Sequence, residues 1–453
     1  MEASYHHVSD FLPLAEYEKT AKKLARYEPR SMTSKIPIVW DRAEGCQVYD
    51  AYGNCWIDFT SAIVLTNIGH AHEKVGQAIK DQIDRKLMHN YCHPSEIRAE
   101  TVRRLVEISP ANLEKVMLFS TGSEAVECCI KLTRMHGQSI RPDKNVLIAF
   151  NQAFHGRTLG AQSLSGFENQ KQWITHRDPD IHHIPFSEPY NCPWCKAAHS
   201  RCSPLCFERA LDQLRENGVD LNRIAGFITE SYQGPTVEFI PNDYAVAMRQ
   251  WANDHDALLV FDEVQSGFGR TGKLFAYEHY GVEADLVSCG KGITGSLPLS
   301  AVLGRAKIMD IPDPGEMSST HTGNPLCCAA ALATLDVFKE EGLVERAATL
   351  GRRFKSELGK LGKKYPCVGP ASGKGMTYGL YLVKPETQQL DFDLVPAVWE
   401  RALRKGVMTL PTPVGALKLS PPLSIPEDAL LEGIGLIDEA IYECTIKPNT
   451  TKR

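Results

Sequence analysis

The stretch Ala257-Leu258-Leu259-Val260-Phe261-Asp262-Glu263-Val264-Gln265 decides the fold, because an unbroken apolar run ends there on two carboxylates. A short run that is apolar at every position predicts a strand covered on both faces, the habit of parallel sheets. Working outward, Lys115-Val116-Met117-Leu118-Phe119, Asn145-Val146-Leu147-Ile148-Ala149, Ile224-Ala225-Gly226-Phe227-Ile228 and Asp285-Leu286-Val287-Ser288-Cys289 repeat the pattern, with helical or loop stretches between them. This alternation predicts an α/β fold with a mainly parallel sheet. Ligands of such sheets bind beyond the carboxyl ends of the strands, so the polar residues that follow each run are the candidate site residues.

The flanks read differently. Ile36 to Phe59 is strand-like, with Asp50-Ala51-Tyr52-Gly53-Asn54 as hairpin punctuation. Lys74 to Leu87 and Glu96 to Ile108 have helical spacing, the second opening after Pro94-Ser95. The final third reads as a helix from Phe338 to Leu358, strands around Gly379 to Val383 and Ala416 to Leu419, and a closing helix from Pro426 to Tyr442. That is the pattern of a smaller α+β domain. The tail Lys447 to Arg453 is expected to fray.

Composition sets the class. Lys+Arg 50 against Asp+Glu 55 gives a net charge of −5 with no basic block, which argues against nucleic acid as a partner. No apolar run approaches the ~20 residues that span a bilayer. The start Met1-Glu2-Ala3-Ser4-Tyr5-His6-His7, with Asp10 and Glu16 following, is not a cationic leader, and a cytoplasmic chain is expected. Fourteen cysteines in 453 residues are too few for a disulfide scaffold, so reduced thiols are expected.

Three strand ends carry chemistry. Ser120-Thr121-Gly122-Ser123-Glu124 turns from a strand into a helix, and its free backbone N–H groups suit a phosphate monoester. An N-cap with a capping-box Glu explains the same residues equally well. Asp262 emerges at the ligand edge. Lys291, between Gly290 and Gly292, is accessible yet partly desolvated, which lowers an amine's pKa toward that of a nucleophile. A lone lysine is more often a solvated charge, but a Schiff-base amine, an anion for a ring nitrogen and a phosphate cup together are what pyridoxal phosphate requires. Gly267 to Lys273 also matches G-x-G-x-x-G and G-x-x-x-x-G-K, the marks of nucleotide loops. Leu274 stands where the second of these needs Ser or Thr, so a nucleotide-binding module is only a distant alternative.

On Phe261-Asp262-Glu263-Val264-Gln265-Ser266-Gly267-Phe268-Gly269-Arg270-Thr271-Gly272 and the later Lys291, the chain resembles the class III pyridoxal-phosphate-dependent aminotransferases, the family of 4-aminobutyrate, ornithine and ω-amine transaminases. The resemblance runs from about residue 35 to 440. It implies a fold-type-I transferase: a segment 1–60 contributing to the small domain, a large cofactor domain 61–334 with a seven-stranded-type sheet and a Cys-rich loop 190–207, and a small domain 335–453. It also implies that Lys291 and Asp262 are catalytic, Lys291 as the Schiff-base and proton-moving amine and Asp262 facing the pyridinium nitrogen. Gln265 would contact the ring hydroxyl oxygen, and Phe154 of Phe154-His155-Gly156-Arg157-Thr158 would stack on the ring, with His155 beside it. Gly122 and Ser123 would hold the phosphate, joined by Thr320 from a neighbouring subunit. A homodimer follows from that last role, with tetramers left open.

For substrate, the resemblance offers Arg157 as the clamp on a distal carboxylate and Glu230 as a gate carboxylate. Together they point to 2-oxoglutarate/glutamate as one half-reaction, with pyruvate as the other acceptor considered. Lys418, in Ala416-Leu417-Lys418-Leu419, stands where the family has an arginine, and the two residues are not interchangeable at a bidentate site. Lys418 either binds a carboxylate as a point charge, pairs with Glu230, or faces solvent; the donor is then an ω-amine, diamine, aminosulfonate, amino sugar or amino acid. Ser61-Ala62-Ile63 departs from the family's glycine-rich run, with Ile63 near the substrate. A racemase, epimerase or aminomutase on the same scaffold is the alternative activity.

Cys192-Pro193-Trp194-Cys195 and Cys202-Ser203-Pro204-Leu205-Cys206 have spacing compatible with a tetrahedral zinc site. Buried thiols or a redox-labile loop are the other readings. His182-His183 and His6-His7 read as polar surface.

Overall fold

The protein is described by a computed structural model covering residues 4–9, 14–32, 36–186, 192–195 and 202–446. The tail Lys447 to Arg453, the start Met1-Glu2-Ala3 and part of the Cys-rich loop lie outside the described residues. The chain opens with a helix, Leu14–Tyr27, which the sequence reading did not anticipate. Strands β1 (Arg42–Glu44), β2 (Gln47–Tyr49) and β3 (Cys55–Asp58) follow as an antiparallel meander. The central strands are β4 (Lys115–Phe119), β5 (Val146–Phe150), β6 (Ile181–Ile184), β7 (Ile224–Glu230), β8 (Leu258–Asp262), β9 (Leu286–Cys289) and β10 (Ser300–Gly304). They form one seven-stranded sheet in the order β4-β10-β9-β8-β7-β5-β6, in which β10 runs antiparallel to both its neighbours and the other pairings are parallel.

Both faces of this sheet are buried, which is why its strands read as continuous apolar runs. Leu258 and Val260 join one core cluster with Ala125, Val126 and Leu132 of the helix Gly122–Ile140. Leu259 and Phe261 join the other cluster, with Phe227 and Tyr277. The same alternation continues past the strand end, so Asp262 and Glu263 point to opposite sides.

The last strands are β11 (Val368–Lys374), β12 (Thr377–Leu382), β13 (Val407–Met408), β14 (Leu410–Pro411) and β15 (Ala416–Leu419). Four of them form the sheet β11-β12-β15-β14, while β13 pairs in parallel with β3, Val407 opposite Ile57. The N-terminal meander is thereby tied to the last third of the chain.

Two local expectations change. The helix expected from Phe338 to Leu358 is two helices, Pro325–Glu340 and Leu343–Lys364, because Gly342 adopts φ +55, which no helix interior accommodates. His182 and His183 lie in edge strand β6 rather than on an open surface. His183 Nε2 sits 2.9 Å from the Leu164 carbonyl oxygen, and burial lowers its pKa to about 4. Among the described residues no helix is long and apolar enough to cross a membrane.

Candidate active site

The register of three strands builds the floor of the site. Glu230 lies opposite Asp262 on β7 and β8, and Asp262 lies opposite Ser288 on β8 and β9. The three therefore stand abreast at the carboxyl edge on one face, and Lys291 follows β9 by two residues. Asp262 is almost fully buried. Its Oδ1 accepts from the Val264 N–H at 3.0 Å and the Ser288 hydroxyl at 3.3 Å, and its Oδ2 accepts from His155 Nδ1 at 2.8 Å. Burial opposes a charge on His155, but the hydrogen bond and charge of Asp262 outweigh it and raise the imidazole pKa. His155 Nε2 is buried without a hydrogen-bond partner among the described residues, and the His155 backbone N–H donates to the Ser165 hydroxyl at 2.9 Å.

Glu263, on the opposite face, is tied down by four donors: the hydroxyls of Ser231 and Ser266 and the N–H groups of Ala276 and Tyr277. It anchors the loop after β8 and takes no part in the cavity. The glycine-rich loop that follows is equally committed. The N–H groups of Gly267, Gly269 and Gly272 bond to the carbonyls of Glu263, Leu274 and Gly269. Arg270 is fully buried and donates to Met376 O, Pro421 O, Ser61 Oγ and Asn67 Oδ1. These amides are not free to cradle a phosphate, contrary to what the nucleotide motif requires.

A cavity of about 380 Å³ opens above the strand ends, and its lining includes Ser120, Gly122, Ser123, Phe154, His155, Glu230, Asp262, Gln265 and Lys291. At one end, the 19-residue helix Gly122–Ile140 presents its first-turn N–H groups, which have no acceptor within the helix. The capping box is also present: Glu124 N–H donates to Thr121 Oγ1, and Glu124 Oε2 accepts from the Thr121 N–H at 2.8 Å. The two readings of this turn therefore coexist, with Thr121 closing the cap and Gly122-Ser123 facing the cavity. A Cβ on Gly122 would come within 2.7 Å of Val264, and one on Gly156, at φ +136, within 2.2 Å of Ser123 Oγ. Only glycine keeps this end open.

Lys291 is half-buried at the cavity wall. Burial lowers its pKa, and the charges of Asp262 and Glu230 act in the opposite direction. Glu230 is buried. Its Oε2 accepts from the Phe154 N–H and its Oε1 from the Gly234 N–H, both at 3.0 Å, and burial raises its pKa to about 7.

Lys418 lies behind this wall and outside the cavity lining. It is 3% exposed, which removes the solvent-facing reading. Its ammonium donates to the Gly234 carbonyl at 2.6 Å and to Gln265 Oε1, and it lies over the Tyr232 ring at 5.3 Å. No ion pair joins it to Glu230 among the described residues: the two bond separately to the C=O and N–H of Gly234, and the charge of Glu230 acts on the amine from a distance. Since an ammonium only donates, Lys418 engages the Gln265 oxygen and leaves the amide NH2 to serve another acceptor. Burial lowers the Lys418 pKa to about 7.

The remaining substrate candidates, and Thr320 from the cofactor set, are dispersed. Arg157 is exposed, donates to Gln170 Oε1 at 2.7 Å and lies 5.2 Å from the centre of the Phe154 ring. Thr320 is exposed and outside the lining. Ile63, 53% exposed, borders a separate apolar cavity with Tyr17, Trp40 and Met408. Sequence reading missed Ser288, Ser165 and Tyr232. The signal for Ser288 was present as a lone hydroxyl in the run Leu286-Val287-Ser288, level with Asp262.

Taken by their chemistry, these residues fit pyridoxal phosphate: a desolvated amine, a buried carboxylate with an imidazole behind it, an aromatic face, and a helix N-terminus kept open by two glycines. A family model described as Aminotransferase class-III matches residues 28–441. A leucine/methionine racemase of Thermococcus litoralis is 33% identical, over 94% of this chain and 96% of its own. A 4-aminobutyrate aminotransferase of Mycobacterium leprae is 32% identical, over 93% and 94%. Among solved structures, the ornithine aminotransferase from Toxoplasma gondii superposes with a TM-score of 0.84 at 26% identity, covering 95% of this chain and 96% of that one.

Proposed function

This chain belongs to the class-III aminotransferase family, whose cofactor is pyridoxal phosphate, and on that premise we propose that it moves an amino group from an amine donor to a 2-oxo acid, 2-oxoglutarate or pyruvate. The observation that carries the reading is the convergence of Lys291, the Asp262–His155 pair and the Gly122-Ser123 turn on one cavity. When bound, pyridoxal phosphate supplies an aldehyde for an amine and a ring that accepts the electron pair left at the substrate carbon.

The residues divide that work. Lys291 Nζ is the attachment point and the base, and its desolvation favours the neutral amine that must take the proton from the substrate carbon and return it. Asp262 would face the ring nitrogen and hold its proton there, and His155 aims Asp262 by donating to Oδ2. Gln265, its oxygen held by Lys418, would offer its amide NH2 to the ring hydroxyl oxygen. Phe154 would cover one ring face, and the first-turn N–H groups and the Ser123 hydroxyl would hold the phosphate. Exposed Thr320 fits the role of a second copy's contribution, which makes the working unit a homodimer. Because Lys418 already serves Gly234 and Gln265, it is poorly placed to clamp an α-carboxylate, which supports a donor lacking one; Arg157 would then hold the distal carboxylate of the acceptor.

A second reading, a racemase or epimerase, is favoured by the identity to the Thermococcus litoralis racemase. It uses the same proton transfer at Lys291 without releasing an oxo product. The test screens amines, diamines and single-enantiomer amino acids against 2-oxoglutarate and pyruvate. Stoichiometric oxo product with an amine supports transfer. Isomerisation without any acceptor supports the second reading, and neither activity across the panel overturns both.

A further inference from the structure

We propose that Cys192, Cys195, Cys202 and Cys206 bind one structural zinc ion as four thiolates. Their Sγ atoms all lie within 4.8 Å of one another, and all four residues are buried. Four sulfurs about 2.3 Å from a central ion at tetrahedral angles stand about 3.8 Å apart, so the cluster has the dimensions of a single-ion site. A cluster of several irons needs its thiolates spread more widely. None of the four is in a disulfide, and the 3.3 Å between Cys195 and Cys206 Sγ is well beyond a disulfide bond of about 2.05 Å.

The surroundings fit the same assignment. The thiols sit in the main core cluster with Phe207 and Tyr244, whose rings are 5.4 Å apart. Among the described residues the buried Tyr244 hydroxyl has no hydrogen-bond partner, and it lies within electrostatic reach of Cys202, Cys206 and Cys192. A thiolate bound to zinc is a strong acceptor for such a hydroxyl, whereas a thiol is a weak one. Cys206 belongs to the helix Pro204–Glu216, which packs on the helix Asn242–Asp254, so the ion clamps the loop after β6 to the body of the protein. Binding exchanges four thiol protons for one divalent cation, Zn²⁺ + 4 Cys–SH giving Zn(S–Cys)₄²⁻ + 4 H⁺. The ion lies away from the cavity of Lys291, and its role is stability rather than turnover.

The experiment measures metal in the intact holoenzyme, purified from zinc-supplemented growth, by plasma mass spectrometry. A mercurial titration of the same sample follows zinc release against thiols blocked. The expected result is about one zinc per chain, released as four thiols are blocked. A Cys192→Ser/Cys195→Ser variant loses the zinc and melts at lower temperature while keeping the cofactor's absorbance; Cys92→Ser, at an exposed thiol, keeps the zinc. Wild-type protein with no zinc after reduction and addition of zinc, with iron in stoichiometric amount, or with a disulfide among these four cysteines overturns the proposal. The titration needs no variant, so a double variant that fails to fold does not remove the test. Retained cofactor absorbance separates failure here from failure of the catalytic reading.

Discussion

Two lysines, one half-buried and one fully enclosed, differ by what surrounds them. Lys291 ends β9 at the cavity, beside Asp262 and Glu230 and half open to a ligand. Lys418 lies one layer back on β15, enclosed by Gly234, Gln265 and Tyr232. Burial depresses both amines, so a lowered pKa alone does not identify a nucleophile; access to a cavity does. The wall containing Lys418 positions a side chain, and the floor containing Lys291 is built to react.

The sharpest way to break this contrast is Lys291→Ala, which should cost roughly 10²–10⁴-fold or more in turnover by removing the proton carrier, with the cofactor no longer covalently attached. Equal loss from Lys418→Met would erase the distinction. Asp262→Asn keeps the shape and removes the charge, and should lower kcat by about 10²-fold, by analogy with losing one charge-stabilising group. Single-turnover absorbance measurements check both.

A smaller effect separates the lysines by pH. The folded-state pKa of Lys418 is depressed from 10.5 to about 7, so its contribution to stability is present above 10.5 and is lost as pH falls toward 7. Lys418→Met removes that loss, so its thermal midpoint relative to wild type should rise as pH falls through this window. Glu230 has the opposite sign: its pKa is raised from 4.5 to about 7, and its contribution is lost as pH rises through that range. Glu230→Gln should therefore gain on wild type as pH rises from 4.5 to 7.

The smallest effect lies near Ile63. Ser61, Ala62, Ile63 and Val64 all have φ between +47 and +66, a left-handed turn made without glycine. Such a backbone costs an L-residue about 1–2 kcal/mol, so Ala62→Gly should stabilise by about 0.5–1 kcal/mol after the entropy of glycine is counted. Denaturant unfolding followed by fluorescence reads it directly.

The floor of the site was legible because strand ends announce themselves: an apolar run that stops on Asp262, or one that ends two residues before Lys291, carries its position in the sequence. The sheet was legible for the same reason, with both core clusters alternating along each strand. The wall was not. Lys418 sits in an apolar strand context identical to that of a solvent-facing lysine until β12, Gly234 and Gln265 are folded against it, and those partners are up to 184 residues away in sequence. Ser288 and Ser165 were missed because a single hydroxyl has many uses, and only the register opposite Asp262 selects one. The helix break at Gly342 was hidden because apolar spacing continues across it.

The most direct test of the central claim is borohydride reduction of the holoenzyme followed by peptide mapping. The account predicts the phosphopyridoxyl mass on the peptide containing Lys291 and an unmodified Lys418. The same mass on Lys418, or on any other lysine in place of Lys291, would contradict it.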